Sequence, residues 1–326
     1  MKKVFWILIG LFCLFCTGCK KQEEPVLVIF DTDMGPDYDD VGALTLLHAF
    51  ADNGEAKILA TVSSNRYTNS VPCIEIINRY FGRPDIPLGA PRNGVTMMDS
   101  RFKIYWPEIL PLLYPHETKR TEDAPDAVSV YRKILSQQPD AGVHIITVGF
   151  LTNLAALLQS EPDEYSDLNG KALVSKKVKR LISMAGAFPQ GREFNVCVDA
   201  AASAIMFEQW PTPVTLSGFE IGVEILTGKR LIASDMTNNP VKDVFSMSLT
   251  VDVNGRSSWD QTAVLVGVQG CRDYFGTVKG HMSVTSDGDN TWKDDPNGTH
   301  EHLIWKMPKE EITRIIEDLM MHPPKK

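Results

Sequence analysis

The sequence predicts an α/β protein with a mostly parallel central sheet and helices on both faces. Three observations carry that expectation. From Pro25 onward, short β-branched runs alternate with amphipathic stretches, as βα units require. The first run, Val26–Phe30, is apolar throughout, as in a strand buried on both faces. An acidic cluster follows the first run directly, where open α/β sheets bind ligands, beyond the carboxyl end of a strand.

Val26–Phe30 reads as the first buried strand, with later strands at Ala56–Val62, Val143–Val148, Lys179–Met184 and Val214–Ser217. Helices are expected at Asp40–Phe50, Pro72–Phe81, Asp126–Gln137, Leu151–Gln159 and Ala200–Gln209. Asn93–Asp123 has no clean period and reads as a long irregular insertion near the mouth of a site. Gly276–Trp292 alternates like a strand around the turn signal Ser286–Asn290. A strand His302–Met307 and a helix Lys309–Met321 follow, so residues 26–326 are expected to form a single domain closed by a hairpin and a helix.

At the N-terminus, Lys2 and Lys3 precede an apolar run, Val4–Cys16, that closes on Thr17-Gly18-Cys19. A spanning helix needs ~20 apolar residues, and this run is shorter and ends on small residues beside a cysteine. Residues 1–18 therefore read as a signal peptide. The stretch resembles bacterial lipoproteins, which implies acylation of Cys19, a polar tether over residues 19–25, and an exported protein held at the periplasmic or outer cell surface by its lipid. Of six cysteines, Cys73, Cys197 and Cys271 then remain, too widely spaced for a zinc pattern or a disulfide framework. A net charge of −8 argues against nucleic acid as a partner. A homo-oligomer is left open.

The sharpest feature is Asp31-Thr32-Asp33-Met34-Gly35-Pro36-Asp37-Tyr38-Asp39-Asp40, with five carboxylates in ten residues. So many like charges at one strand tip repel unless a cation offsets them. Hard oxygen ligands suit Ca²⁺ better than zinc, and the spacing is not that of an EF-hand. Helix capping by Asp39 and Asp40 would leave Asp31, Asp33 and Asp37 without a cause.

Three further segments stand in order along the chain: His144–Asn153, ending Gly149-Phe150-Leu151-Thr152-Asn153; Met184–Asp199, containing Glu193-Phe194-Asn195; and Ser258-Trp259-Asp260-Gln261-Thr262-Ala263. With the aspartate cluster, they resemble the motifs of the inosine-uridine preferring nucleoside hydrolases from about Val26 to about Gly270. The resemblance implies a Rossmann-like open sheet and a Ca²⁺-dependent glycosidase that releases base and ribose from ribonucleosides in purine and pyrimidine salvage. It implies Asp33, Asp40, the Val148 carbonyl and Asp260 as metal ligands, with Asp33 also the catalytic base. Asp39, Asn65, Glu193 and Asn195 would hold the sugar. Two extra residues after Gly35 leave both Asp37 and Asp39 as candidates for one sugar-binding place. Where many family members carry a histidine beside the last aspartate, this chain has Trp259, which cannot donate a catalytic proton but can stack on a base. His281, His300 and His302 are the loose alternatives for that acid. Two other functions fit the same residues: hydrolysis of another ribose-like glycoside, and sugar binding without catalysis.

Overall fold

The computed structural model describes residues 24–35, 37–98 and 105–325. The signal segment, Cys19 and most of the tether lie outside these residues. Among the described residues, no helix is long and apolar enough to cross a membrane.

The chain builds β1 (Val26–Thr32), β2 (Ala56–Ser63), β3 (Leu88–Gly89), β4 (Val143–Thr147), β5 (Val178–Met184), β6 (Gln190–Gly191), β7 (Val214–Ser217), β8 (Leu226–Thr227), β9 (Arg256–Ser257), β10 (Phe275–Val284), β11 (Asn290–Asp294) and β12 (His300–Trp305). Ten of these form one sheet in the order β3-β2-β1-β4-β5-β7-β12-β10-β11-β6, and β8 pairs with β9 apart from it. From β3 to β12 every pairing is parallel; β10, β11 and β6 continue antiparallel. The chain runs outward from β1 through β2 to β3, then returns to lay β4 on β1's other side. The strand order thus reverses between β1 and β4, and a crevice opens there beyond the strand ends.

Two cores follow from the two-residue period of buried strands. Val28 and Phe30 of β1, Ile146 of β4 and Ile182 of β5 face one core, with the helices Asp39–Asp52, Trp259–Gln269 and Lys309–Met320. Ile29, Ile145 and Leu181 face the other, under the helices Ala127–Ser136, Thr152–Leu158 and Ala200–Gln209. Each fully buried side chain of this size contributes about 1.5–3 kcal/mol, and a one-residue slip of register would send every one of them into the opposite core.

The irregular insertion expected at Asn93–Asp123 contains a helix, Trp106–Leu113. Pro107 stands in its first turn, where a fixed φ and a missing N–H cost nothing, while Pro111 breaks up the apolar spacing that would reveal a helix. Buried Trp106 and Leu110 dock it. Its Trp106 Nε1 donates to the Asp37 carbonyl at 3.1 Å, and Tyr105 Oη donates to the Gly35 carbonyl at 2.6 Å, so the segment braces the aspartate loop. The last strand begins two residues earlier than expected, at His300, and enters the main sheet beside β7. Cys73 is buried, Cys197 and Cys271 are half-buried, and all three are free thiols.

Candidate active site

β1 ends in Asp31 and Thr32, which point to opposite faces. Asp31 points away from the crevice, where its Oδ2 accepts from Tyr131 Oη at 2.9 Å and Asn153 Nδ2 at 3.0 Å. Burial pushes its carboxyl up to about 7 against those hydrogen bonds. Asn153 also donates to the Ser63 carbonyl at 2.8 Å, so that asparagine ties a helix start to β1 and β2. Thr32, on the other face, donates its hydroxyl to Asp40 Oδ1. The second oxygen of Asp40 is buried with no partner among the described residues.

Past β1 the chain turns at Gly35, whose φ of 138° suits a residue without Cβ, and enters the helix Asp39–Asp52. That turn brings the helix's first acids under Asp260, which opens the helix Trp259–Gln269. Ligand atoms of Asp37, Asp39, Asp40 and Asp260 all lie within 4.8 Å of one another. Asp33 stands close enough to Asp40 for the two carboxyls to repel. Burial first, then mutual repulsion, holds Asp33, Asp40 and Asp260 well above the usual carboxylate range. Burial pushes Asp39 up to about 7 while Arg256 pulls against it.

Of the expected ligands only Asp40 and Asp260 belong to this group, with Asp37 and Asp39 beside them and Asp33 outside it; an all-oxygen set within 4.8 Å has the size of a shell whose metal–oxygen distances are about 2.4 Å. The orphaned Asp40 oxygen and the uncompensated repulsion are what such a cation would relieve. The residues therefore fit a hard divalent ion.

The Val148 carbonyl, just past β4, lies at the same crevice and accepts from Asn195 Nδ2 at 3.1 Å. Gly149 follows, and a Cβ there would come within 2.3 Å of the Asp33 amide nitrogen. Glu193 caps the short helix Phe194–Val198: its carboxylate accepts from the Asn195, Val196 and Gly186 amides at 2.9–3.2 Å. Burial pushes it up to about 7 against those bonds.

These groups surround a cavity of about 180 Å³, whose walls include Asp33, Asp39, Val148, Glu193, Asn195, Trp259 and Asp260. Asp40 sits fully buried beneath them. Asn65 does not line the cavity. Its Nδ2 donates to the Asp33 and Met97 carbonyls, and its Oδ1 accepts from the Tyr67 and Met97 amides, all at 3.0–3.1 Å. Every hydrogen-bonding position of that amide is used within the protein. His281, His300 and His302 are absent from the cavity wall as well; His302 stacks on Phe188 instead.

Two lining residues carried no motif signal: Phe219 and Arg256. Arg256 is 4 % exposed and donates from Nε and Nη2 to Asp39 Oδ1 at 2.8 and 2.6 Å. It also pairs with Asp37. Burial works against its charge, but Asp37 and Asp39 outweigh burial and hold the guanidinium firmly protonated. Only its place four residues before Asp260, in Arg256-Ser257-Ser258-Trp259-Asp260, could have drawn notice.

Carboxylates gathered at the switch point of an open sheet, beside a small polar hollow with an aromatic rim, define an α/β protein built to hold a cation and a compact polar ligand. The family model described as inosine-uridine preferring nucleoside hydrolase matches residues 28–310, and the chain belongs to that family. The inosine-uridine preferring nucleoside hydrolase of Crithidia fasciculata is 25% identical over 233 residues, 67% of this chain and 68% of that protein. A non-specific ribonucleoside hydrolase, RihC, of Salmonella paratyphi B is 25% identical over 216 residues. That match spans 65% of this chain and 65% of RihC. The solved purine-preferring ribonucleoside hydrolase from Gardnerella vaginalis superposes with a TM-score of 0.69 at 18% identity, over 90% of this chain and 99% of that one.

Proposed function

We propose that this protein hydrolyses the N-glycosidic bond of ribonucleosides with Ca²⁺ held by Asp33, Asp40, Asp260 and the Val148 carbonyl. The observation that carries the reading is the meeting of Asp40 and Asp260, far apart in sequence, with one Asp40 oxygen buried and without a partner among the described residues. When bound, Ca²⁺ supplies a lowered pKa for the attacking water and a grip on vicinal sugar hydroxyls. Asp33, on the cavity wall, takes the proton from that water. Asn195 and Glu193 line the same cavity and hold the sugar, with Asp39 as a further hydroxyl partner. Trp259 offers an apolar face to the base. Asn65, its amide consumed by the Asp33 and Met97 backbone, serves by holding Asp33 in place.

The compartment reading is part of the same proposal: export, cleavage before Cys19, acylation of that cysteine, and one domain from residue 26 onward working on nucleosides outside the cytoplasm. The test is ribose release from inosine, uridine and adenosine by the chain lacking residues 1–19. Release abolished by EDTA, restored by Ca²⁺ and lost in Asp33→Ala supports the reading. Tight sugar binding with no release under any condition overturns it in favour of a binding protein.

A further inference from the structure

Cleaving a nucleoside leaves an electron pair on the departing base, and some group must stabilise it. The residues that might serve are otherwise engaged. Trp259 has spent its indole N–H on the Phe219 carbonyl at 2.8 Å. His281, His300 and His302 do not line the cavity. Both Glu193 oxygens accept from backbone amides, which ties that carboxyl into the cap of the helix Phe194–Val198.

Arg256 is different. β9 pairs with β8 and seats it, and its guanidinium lies 5.1 Å from the Tyr38 ring centroid and 5.0 Å from that of Trp259. Nε and Nη2 are committed to Asp39 and Asp37. The acid nearest Nη1 is Asp252, at 3.8 Å, beyond hydrogen-bond range, and that same Oδ2 already accepts from Tyr38 Oη at 2.8 Å. Nη1 therefore carries two N–H donors with no acceptor among the described residues, on a side chain that forms part of the cavity wall beside Trp259.

We propose that Arg256 Nη1 is the leaving-group donor: it hydrogen-bonds an acceptor atom of the departing base while the base is flanked by Trp259. The inference rests on the N-glycosidase reading above. In the step, the water oxygen bonds to the anomeric carbon as the carbon–nitrogen bond breaks and its electron pair passes to the base. The water's proton goes to Asp33. Arginine keeps all its protons, so the base departs as a hydrogen-bonded anion and takes its proton from solvent after release. The carboxylates at Nε and Nη2 fix the planar fork in one orientation, which a lysine could not reproduce.

The experiment compares wild type, Arg256→Lys and Arg256→Gln, each as the full chain in detergent, on inosine and on p-nitrophenyl β-D-ribofuranoside, whose leaving group departs readily without help. Removing a donor that acts on transition-state charge costs roughly 10²–10³ in rate. We expect a loss of that order in kcat/KM on inosine and about tenfold on the nitrophenyl riboside, from a loosened Asp39, so the ratio between substrates shifts at least tenfold. Arg256→Lys keeps a positive charge beside Asp37 and Asp39, and its melting temperature and calorimetric Ca²⁺ uptake verify that the fold and the acid cluster persist. Equal losses on both substrates would show that Arg256 only holds the carboxylates, and would overturn the proposal alone. A wild-type protein that cleaves neither substrate would overturn the hydrolase reading beneath it.

Discussion

Gly149→Ala is the substitution whose effect can be worked most directly from the structure. Gly149 does not adopt a positive φ, so backbone conformation gives alanine no penalty there. The obstacle is contact: an added Cβ would stand 2.3 Å from the Asp33 amide nitrogen, 2.5 Å from Ser64 Oγ and 2.8 Å from Asp33 Cβ. Ordinary contact begins near 3.4 Å, and a backbone nitrogen cannot swing aside as a side chain can. Asp33 or Gly149 must therefore retreat by about 1 Å. Overpacking of this kind costs about 1–3 kcal/mol, less some ~0.4–1 kcal/mol returned through the stiffer unfolded chain. The activity loss should be larger in proportion, because a ~1 Å misplacement of a reacting group can cost on the order of 10²-fold. The assay is ribose release from inosine, alongside the melting temperature and calorimetric Ca²⁺ uptake. A Gly149→Ala protein with wild-type turnover and Ca²⁺ affinity would refute the claim that this close approach sets the position of Asp33.

Three other outcomes are expected. Adding Ca²⁺ at ~100-fold its Kd to the chelator-stripped protein should stabilise it by about 2.7 kcal/mol, on the order of 5 °C in melting temperature; calorimetry with no uptake would contradict the metal site. Asp260→Asn should weaken Ca²⁺ uptake by at least tenfold in calorimetry while raising the melting temperature of the metal-free protein, since it removes one of the crowded buried charges. His48 is fully buried, donates to Asn78 at 2.9 Å and is held neutral, with burial lowering its pKa to about 3. The unfolded chain takes up a proton below about 6.5 and the folded one does not, so this group's contribution is whole above that pH and is lost on acidification, by ~1.4 kcal/mol at pH 5.5; denaturant melts should show a flatter pH slope in His48→Gln.

Much of this architecture was legible because the physics is local. The apolar run at Val26–Phe30 has no polar alternation, as a strand covered on both faces requires, and the acids of Asp31–Asp40 demand a counter-charge whatever the fold. What the chain hid depends on tertiary neighbours. Asn65 looks available for a sugar until Met97, thirty-two residues on, occupies both ends of its amide. Arg256 is one arginine in a polar stretch, and only the folded chain sets it against Asp39, 217 residues away. The helix Trp106–Leu113 was masked by its prolines, and its service to the Asp37 carbonyl leaves no mark on periodicity.

The charges of the site divide into two halves that answer to different partners. Two carboxylates about 4.8 Å apart repel by roughly 3 kcal/mol at an effective dielectric of 20, so the cluster cannot stand fully ionised alone. Arg256 reaches only Asp37 and Asp39 with its hydrogen bonds, and it is part of the covalent chain, so it offsets one of those two charges whether or not a cation is present. Asp33, Asp40 and Asp260 have no such partner, and their raised proton affinity is how the protein offsets their repulsion without metal. A divalent ion entering that half would displace protons and leave a residual charge near −1 on three carboxylates. A half that would release protons on taking up a cation and a half partly offset by arginine together account for five carboxylates crowding one site.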